Sequence, residues 1–255
     1  MYEYSILTKK TPIVCATKRN SSIAEMPFMP EIYHKEFDVT EFIGESLAGI
    51  RNVKSTHYFP LSFAGLRDIE KGKVAFNNDT IRVGSYDFRE ANKAYLVKPT
   101  LTLGMRDKSF ERVLDLCSSS ENREEFLKEN LEMFGLDIYM GQQDRPLNCY
   151  YVYDACGEYH LGPLFDYEES LKLLDADDYE YRNDFVAFND ITDYQEMMVK
   201  YPMFEEILRS YLDVDLASTI KLMCLTRNFD VNGLDLDSYK RFDEQSHKRL
   251  EKILK

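Results

Sequence analysis

The chain has 255 residues, 44% hydrophobic and 13% aromatic, enough apolar bulk for one large domain or two closely packed lobes. Its 45 acidic residues outweigh 32 basic ones for a net charge of −13; such a surface repels phosphate backbones and argues against nucleic acid as a direct partner. No run of about 18 apolar residues is present, as a membrane helix requires, and Cys15, Cys117, Cys149, Cys156 and Cys224 form no C-x-x-C pair, which fits free thiols in a reducing cytoplasm.

Residues 2–18 read as extended: Tyr2, Tyr4 and Ile6 alternate, and Ile13 to Thr17 is a compact β-prone run ending at Lys18. Arg19 to Ser22 is a turn. Pro27 and Pro30 make Ala24 to His34 an irregular segment. A helix follows, capped by Asp38 or Thr40, with Phe42, Ile43, Leu47, Ala48 and Ile50 at helical spacing. Val53 to Phe63 is extended with a break at Pro60. Val74 to Phe76 and Thr80 to Val83 form a hairpin across a polar turn, and Ser85 to Arg89 and Ala94 to Val97 complete a strand-rich half.

After about residue 105 the pattern turns helical. Phe110, Val113, Leu114 and Leu116 suggest one helix, and Asn122 to Tyr139 is a strongly amphipathic one. Two short strands, Tyr150 to Tyr153 and His160 to Phe165, come next. Helices are expected near 168–175, 191–200, 203–212, 215–227 and 235–254. The expected fold is therefore α+β in two lobes, strand-rich over 1–103 and mainly helical over 104–255, with the boundary in the region 98–107. The four histidines, His34, His57, His160 and His247, show no ligand spacing along the chain.

Chemistry concentrates after the long helix. Asp144 lies in the turn that follows it, where a carboxylate can accept the hydrogen bond of an attacking hydroxyl. Asn148 lies four residues on, and Asp166 closes the second short strand; an amide oxygen and a carboxylate suit a hard divalent cation. Read without context, Asp144 and Asn148 are also ordinary turn residues.

The order of helix, Gln143-Asp-Arg145, Asn148, aromatic strand, turn and Pro163-Leu-Phe-Asp-Tyr167 resembles the HipA-like family of bacterial kinases over about residues 126–171. The resemblance implies a protein-kinase-like fold, ATP with Mg²⁺, and phosphorylation of Ser or Thr on a protein substrate. It implies Asp144 as catalytic base, Asn148 and Asp166 as metal ligands, and a lysine on a strand before a helix. Lys18 occupies that place, with Lys98 as its competitor later in the chain. Glu41 and Glu45 share a helix face and either can partner the lysine; the family opens this helix with Asn-Glu, which Thr40-Glu41 matches more closely. Arg145 is expected at the phosphates. Pro146 stands at the family's His, and Cys149 at the usual place of its Asn. Those two substitutions motivate the alternative of a catalytically impaired kinase-fold module that acts by protein–protein binding.

Overall fold

The computed structural model describes residues 3–6, 16–19, 23–25, 32–36, 38–62, 81–86, 95–97, 121–142, 145, 151–153, 158–173 and 190–255. Six strands, β1 (Glu3–Ile6), β2 (Ala16–Arg19), β3 (Ile23–Glu25), β4 (Ile32–Glu36), β5 (Tyr58–Ser62) and β6 (Ile81–Tyr86), close into an antiparallel barrel in the order β1-β2-β3-β4-β6-β5. Closure satisfies strand edges that would otherwise stand open.

Two expectations change here. The segment read as irregular carries β3 and β4, because barrel pairing of Ile23 with Tyr33 and of Ile32 with Tyr86 overrides the local effect of Pro27 and Pro30. Pro60 does not break its strand; it lies inside β5 opposite Val83. Strand β1 pairs with β5 at Leu61 and Ser62, one step past the proline, so the missing N–H costs no bond on that side. The expected strand at Val74 to Phe76 and helix around Phe110 to Leu116 lie outside the described residues.

Helix α1 (Val39–Ile50) starts where Asp38 accepts the Thr40 N–H at 2.8 Å, and it buries Phe42, Ile43, Leu47 and Ala48. Helix α2 (Arg123–Met140) ends at Gly141, whose left-handed backbone (φ 66°) returns its N–H to the Asp137 carbonyl. A second sheet joins β7 (Tyr95–Val97), β8 (Tyr151–Tyr153) and β9 (Tyr159–Leu161) in that order. Its β7–β8 pairing crosses the boundary expected near residue 103. Strand β9 stops at Leu161, not Phe165, because Gly162-Pro163 cannot extend the ladder. The helix expected from 168 is, over the described 168–173, a turn and bend.

Four helices follow: α3 (Ile191–Lys200), α4 (Met203–Ser210), α5 (Leu216–Arg227) and α6 (Leu236–Ile253). Asp190, Asp215 and Asp235 cap three of them through their side chains. Helix α6 docks on the end of α2, where Ser246 Oγ donates to the Tyr139 carbonyl at 2.7 Å and Arg249 Nη1 to that of Ile138 at 2.8 Å. Those are last-turn carbonyls without intrahelical partners. The result is a mixed fold with strands early and helices late. One apolar cluster runs from Phe42 and Val83 through Phe126 and Phe134 to Phe242 and Ile253. Among the described residues no helix is long and apolar enough to cross a membrane.

Gly44 of α1 lies against the Tyr167 ring, and a Cβ there would sit 2.3 Å from Tyr167 Cγ. Gly44→Ala should therefore lower unfolding stability by about 1–3 kcal/mol in urea titration. Gly49→Ala, where a Cβ meets open space on the exposed side of the same helix, should instead be neutral or stabilising by up to about 1 kcal/mol.

Candidate functional site

The segment after β9 is held at nearly every backbone group. Leu164 forms a parallel bridge to Ser55: its N–H donates to the Lys54 carbonyl at 2.9 Å, and its carbonyl accepts from Thr56 at 2.8 Å. The Phe165 carbonyl accepts from Arg145 Nη1 at 3.2 Å. The Asp166 N–H donates to the Tyr58 hydroxyl at 3.0 Å, and the Asp166 carbonyl accepts from Gln142 Nε2 at 2.8 Å. The Tyr167 N–H donates to both oxygens of Glu41, at 3.1 and 3.2 Å. So held, Asp166 has φ 63°, the left-handed region that residues other than glycine enter rarely and that Asp tolerates better than most. Strain of that kind persists where surrounding bonds impose it, and it clusters at functional sites.

Glu41 is wholly buried in the first turn of α1, where the helix N-terminus favours a carboxylate. Tyr58 is buried beside it. Burial, and next the Glu41 charge, push the Tyr58 hydroxyl well above its usual pKa, so it stays neutral and able to hydrogen-bond Glu41. Burial likewise raises Tyr167, against the pull of the nearby Arg145 charge. The Tyr58 backbone is fixed on both sides: its N–H donates to Glu45 at 3.1 Å and its carbonyl accepts from Arg227 Nη1 at 2.6 Å, while Arg227 and Glu45 pair with each other. Helix α5 thereby holds the strand residue that holds Asp166.

One carboxylate oxygen each from Glu41, Asp166 and Glu168 lie within 4.8 Å of one another. Three acidic groups this close repel, and a cation among them relieves the repulsion. An all-oxygen donor set is what Mg²⁺ takes, with waters completing its octahedron, so the residues present fit that ion.

The phosphate contact expected of Arg145 meets a buried ion pair instead. Arg145 Nε lies 3.1 and 3.0 Å from the two Asp137 oxygens, Nη2 lies 2.6 Å from Oδ1, and both side chains have no solvent exposure. The guanidinium also stacks 5.6 Å from the Tyr167 ring centroid. From this position Arg145 supports the Phe165 carbonyl and the Tyr167 ring from beneath.

Of the other expected site residues, Asp144, Asn148, Pro146, Cys149 and Lys98 lie outside the described residues. Lys18 lies in β2 opposite Ala24 of β3, and its side chain is outside the described set. The structure thus brings together Glu41 and Asp166 from opposite ends of the sequence. Sequence reasoning missed Tyr58, Gln142, Glu168 and Asp137. Only Asp137 gave a local signal, a carboxylate between Leu136 and Ile138 in an apolar stretch of α2.

No family model and no curated protein matches the chain. Among solved structures it is similar to HipA from the Shewanella oneidensis MR-1 toxin–antitoxin system, in a complex with HipB and operator DNA. The superposition has a TM-score of 0.58 at 12% identity and covers 97% of this chain. The two chains share a fold. This chain spans 62% of the length of that HipA chain, and at this identity the likeness is one of fold alone.

Arg145→Met should cost about 3–5 kcal/mol of stability by leaving the Asp137 charge buried and unpaired. Adding Asp137→Leu should recover most of that loss, since no charge then remains inside. Chemical denaturation of the single and double variants measures both.

Proposed function

We propose that this chain is a HipA-like phosphotransferase that uses ATP and Mg²⁺ to phosphorylate Ser or Thr of a protein partner in the cytoplasm. One observation carries the reading: Asp166, in the run Pro163-Leu-Phe-Asp166, is locked in a left-handed conformation by Tyr58 and Gln142, while the next residue, Tyr167, donates its N–H to the buried helix carboxylate Glu41. The fold likeness to HipA supports it.

In this reading residues 1–103 hold the nucleotide and 104–255 carry the catalytic loop. Asp166 and Asn148 would hold Mg²⁺, with Glu168 at the rim of the same acidic group, and the ion would supply positive charge to the phosphate oxygens. Glu41 orients Lys18 toward the phosphates and fixes the Asp166 segment through the Tyr167 N–H. Asp144 accepts the proton of the attacking Ser or Thr hydroxyl and aligns it for in-line transfer. Tyr58 and Gln142 keep the Asp166 backbone from rotating, so its carboxylate is placed before substrate arrives.

A second reading has its own observation. Pro146 and Cys149 replace two family positions, and a thiol is a poor ligand for Mg²⁺. A chain that binds nucleotide without transferring phosphate would then act through protein contacts.

Incubating the purified chain with Mg²⁺ and γ-labelled ATP separates the two. Phosphotransfer predicts label on the protein or on an added protein substrate, reduced about 100-fold or more by Asp144→Asn with the fold retained. Unchanged labelling in that variant would remove Asp144 from the mechanism. A thermal shift with Mg-ATP and no label would leave the binding module.

A further inference from the structure

Away from Asp166, the face of α2 that meets the β8–β9 hairpin gathers a second set of ligating atoms. Glu125 and Glu129 are four residues apart and share one side of the helix. Strand β9 brings His160 against them, so that one oxygen of each carboxylate and one ring nitrogen lie within 4.8 Å of one another. The histidines look scattered along the sequence; the fold supplies the ligand spacing that the chain order hides.

Both key side chains are oriented. Glu129 Oε2 accepts the Leu161 N–H at 2.7 Å, which ties the carboxylate to β9 beside His160. His160 Nδ1 faces Glu129 Oε1 at 3.8 Å. Its other nitrogen, Nε2, lies 3.9 Å from Glu158 and 3.4 Å from Asn122 Nδ2, and Asn122 is itself fixed by donating to the Tyr159 carbonyl at 2.8 Å. Asn122 donates to Nε2, and Glu158, beyond hydrogen-bond reach at 3.9 Å, is the outer carboxylate toward which the Nε2–H of a metal-bound His160 would turn.

The spot already draws a cation: the Lys54 ammonium pairs with Glu129. Lys54 is half exposed and on a flexible stem, so it can withdraw. A cavity of about 190 Å³ whose lining includes Lys54, Lys128, Glu125, Glu129, Glu132 and Leu161 adjoins the carboxylates and has room for waters that complete a coordination shell.

We propose that Glu125, Glu129 and His160 form a binding site for a divalent transition-metal cation such as Zn²⁺. Two carboxylate oxygens and an imidazole nitrogen match its borderline character, whereas Mg²⁺ prefers oxygen alone. The ligand atoms draw together by up to about 1.5 Å to reach bonding distance, which rotamer adjustment of the exposed Glu125 and the partly exposed His160 allows. Occupancy ties β9 to α2 just before the Leu164–Tyr167 segment. This site stands independently of phosphoryl transfer.

Isothermal titration of the full chain with ZnCl₂ tests it. Wild type should bind, and Glu125→Gln and His160→Gln should each lower the stoichiometry by one or weaken that site at least tenfold. Glu125 is exposed, so its substitution leaves the fold intact and decides the matter if His160→Gln disturbs β9. An isotherm unchanged by Glu125→Gln, or no Zn²⁺ binding by wild type, would overturn the site.

Discussion

A single buried carboxylate, Glu41, organises the centre of this molecule. It lies at the start of α1 with no solvent exposure, and it accepts the Tyr167 N–H through both oxygens. A charge so placed is costly unless donors surround it. Tyr167 and Tyr58 supply them, and in doing so they join α1, β5 and the segment after β9 at one point. Tyr167 then lies under Gly44, where no larger residue fits, so the helix and the segment approach more closely than side chains would otherwise permit. Asp166 takes its left-handed backbone because both of its neighbours are fixed.

Outer contacts make this centre rigid. Arg227 from α5 and Glu45 from α1 hold Tyr58, and Arg145 with Asp137 fills the floor below Phe165 and Tyr167. Neither pair needs to touch a ligand to matter. Each removes freedom from groups that would present Asp166 to a cation, which is how a protein prepares a site before its ligand arrives. Glu168 adds a third acidic group at the exposed rim.

Local signals made much of the helical part readable. Asp38 caps α1 where the cap was expected, and Asp190, Asp215 and Asp235 start helices whose apolar spacing had marked them. Strands β3 and β4 were hidden because Pro27 and Pro30 dominate their neighbourhood, while the pairing that makes them strands comes from β2 on one side and from β6, far along the chain, on the other. Family resemblance made Asp166 legible as a metal ligand and Glu41 as the lysine's partner, but not that the two meet, since Tyr58 and Gln142, which hold the Asp166 backbone, carry no motif. Arg145 reads as a phosphate contact until Asp137, one helix end away, is seen to hold it in a buried ion pair. The likeness to HipA places these contacts in a known fold, and the chemistry rests on the residues themselves.

The most direct check on this account is amide hydrogen exchange at Asp166 and Tyr167 in the protein without added ligand. Locked as described, these two amides should exchange as slowly as those in the interior of α1, orders of magnitude below the rate of an open loop. Exchange at the rate of an unstructured segment would mean that Glu41 and Tyr58 do not hold them, and the pre-set carboxylate at the heart of the proposed site would be lost with that result.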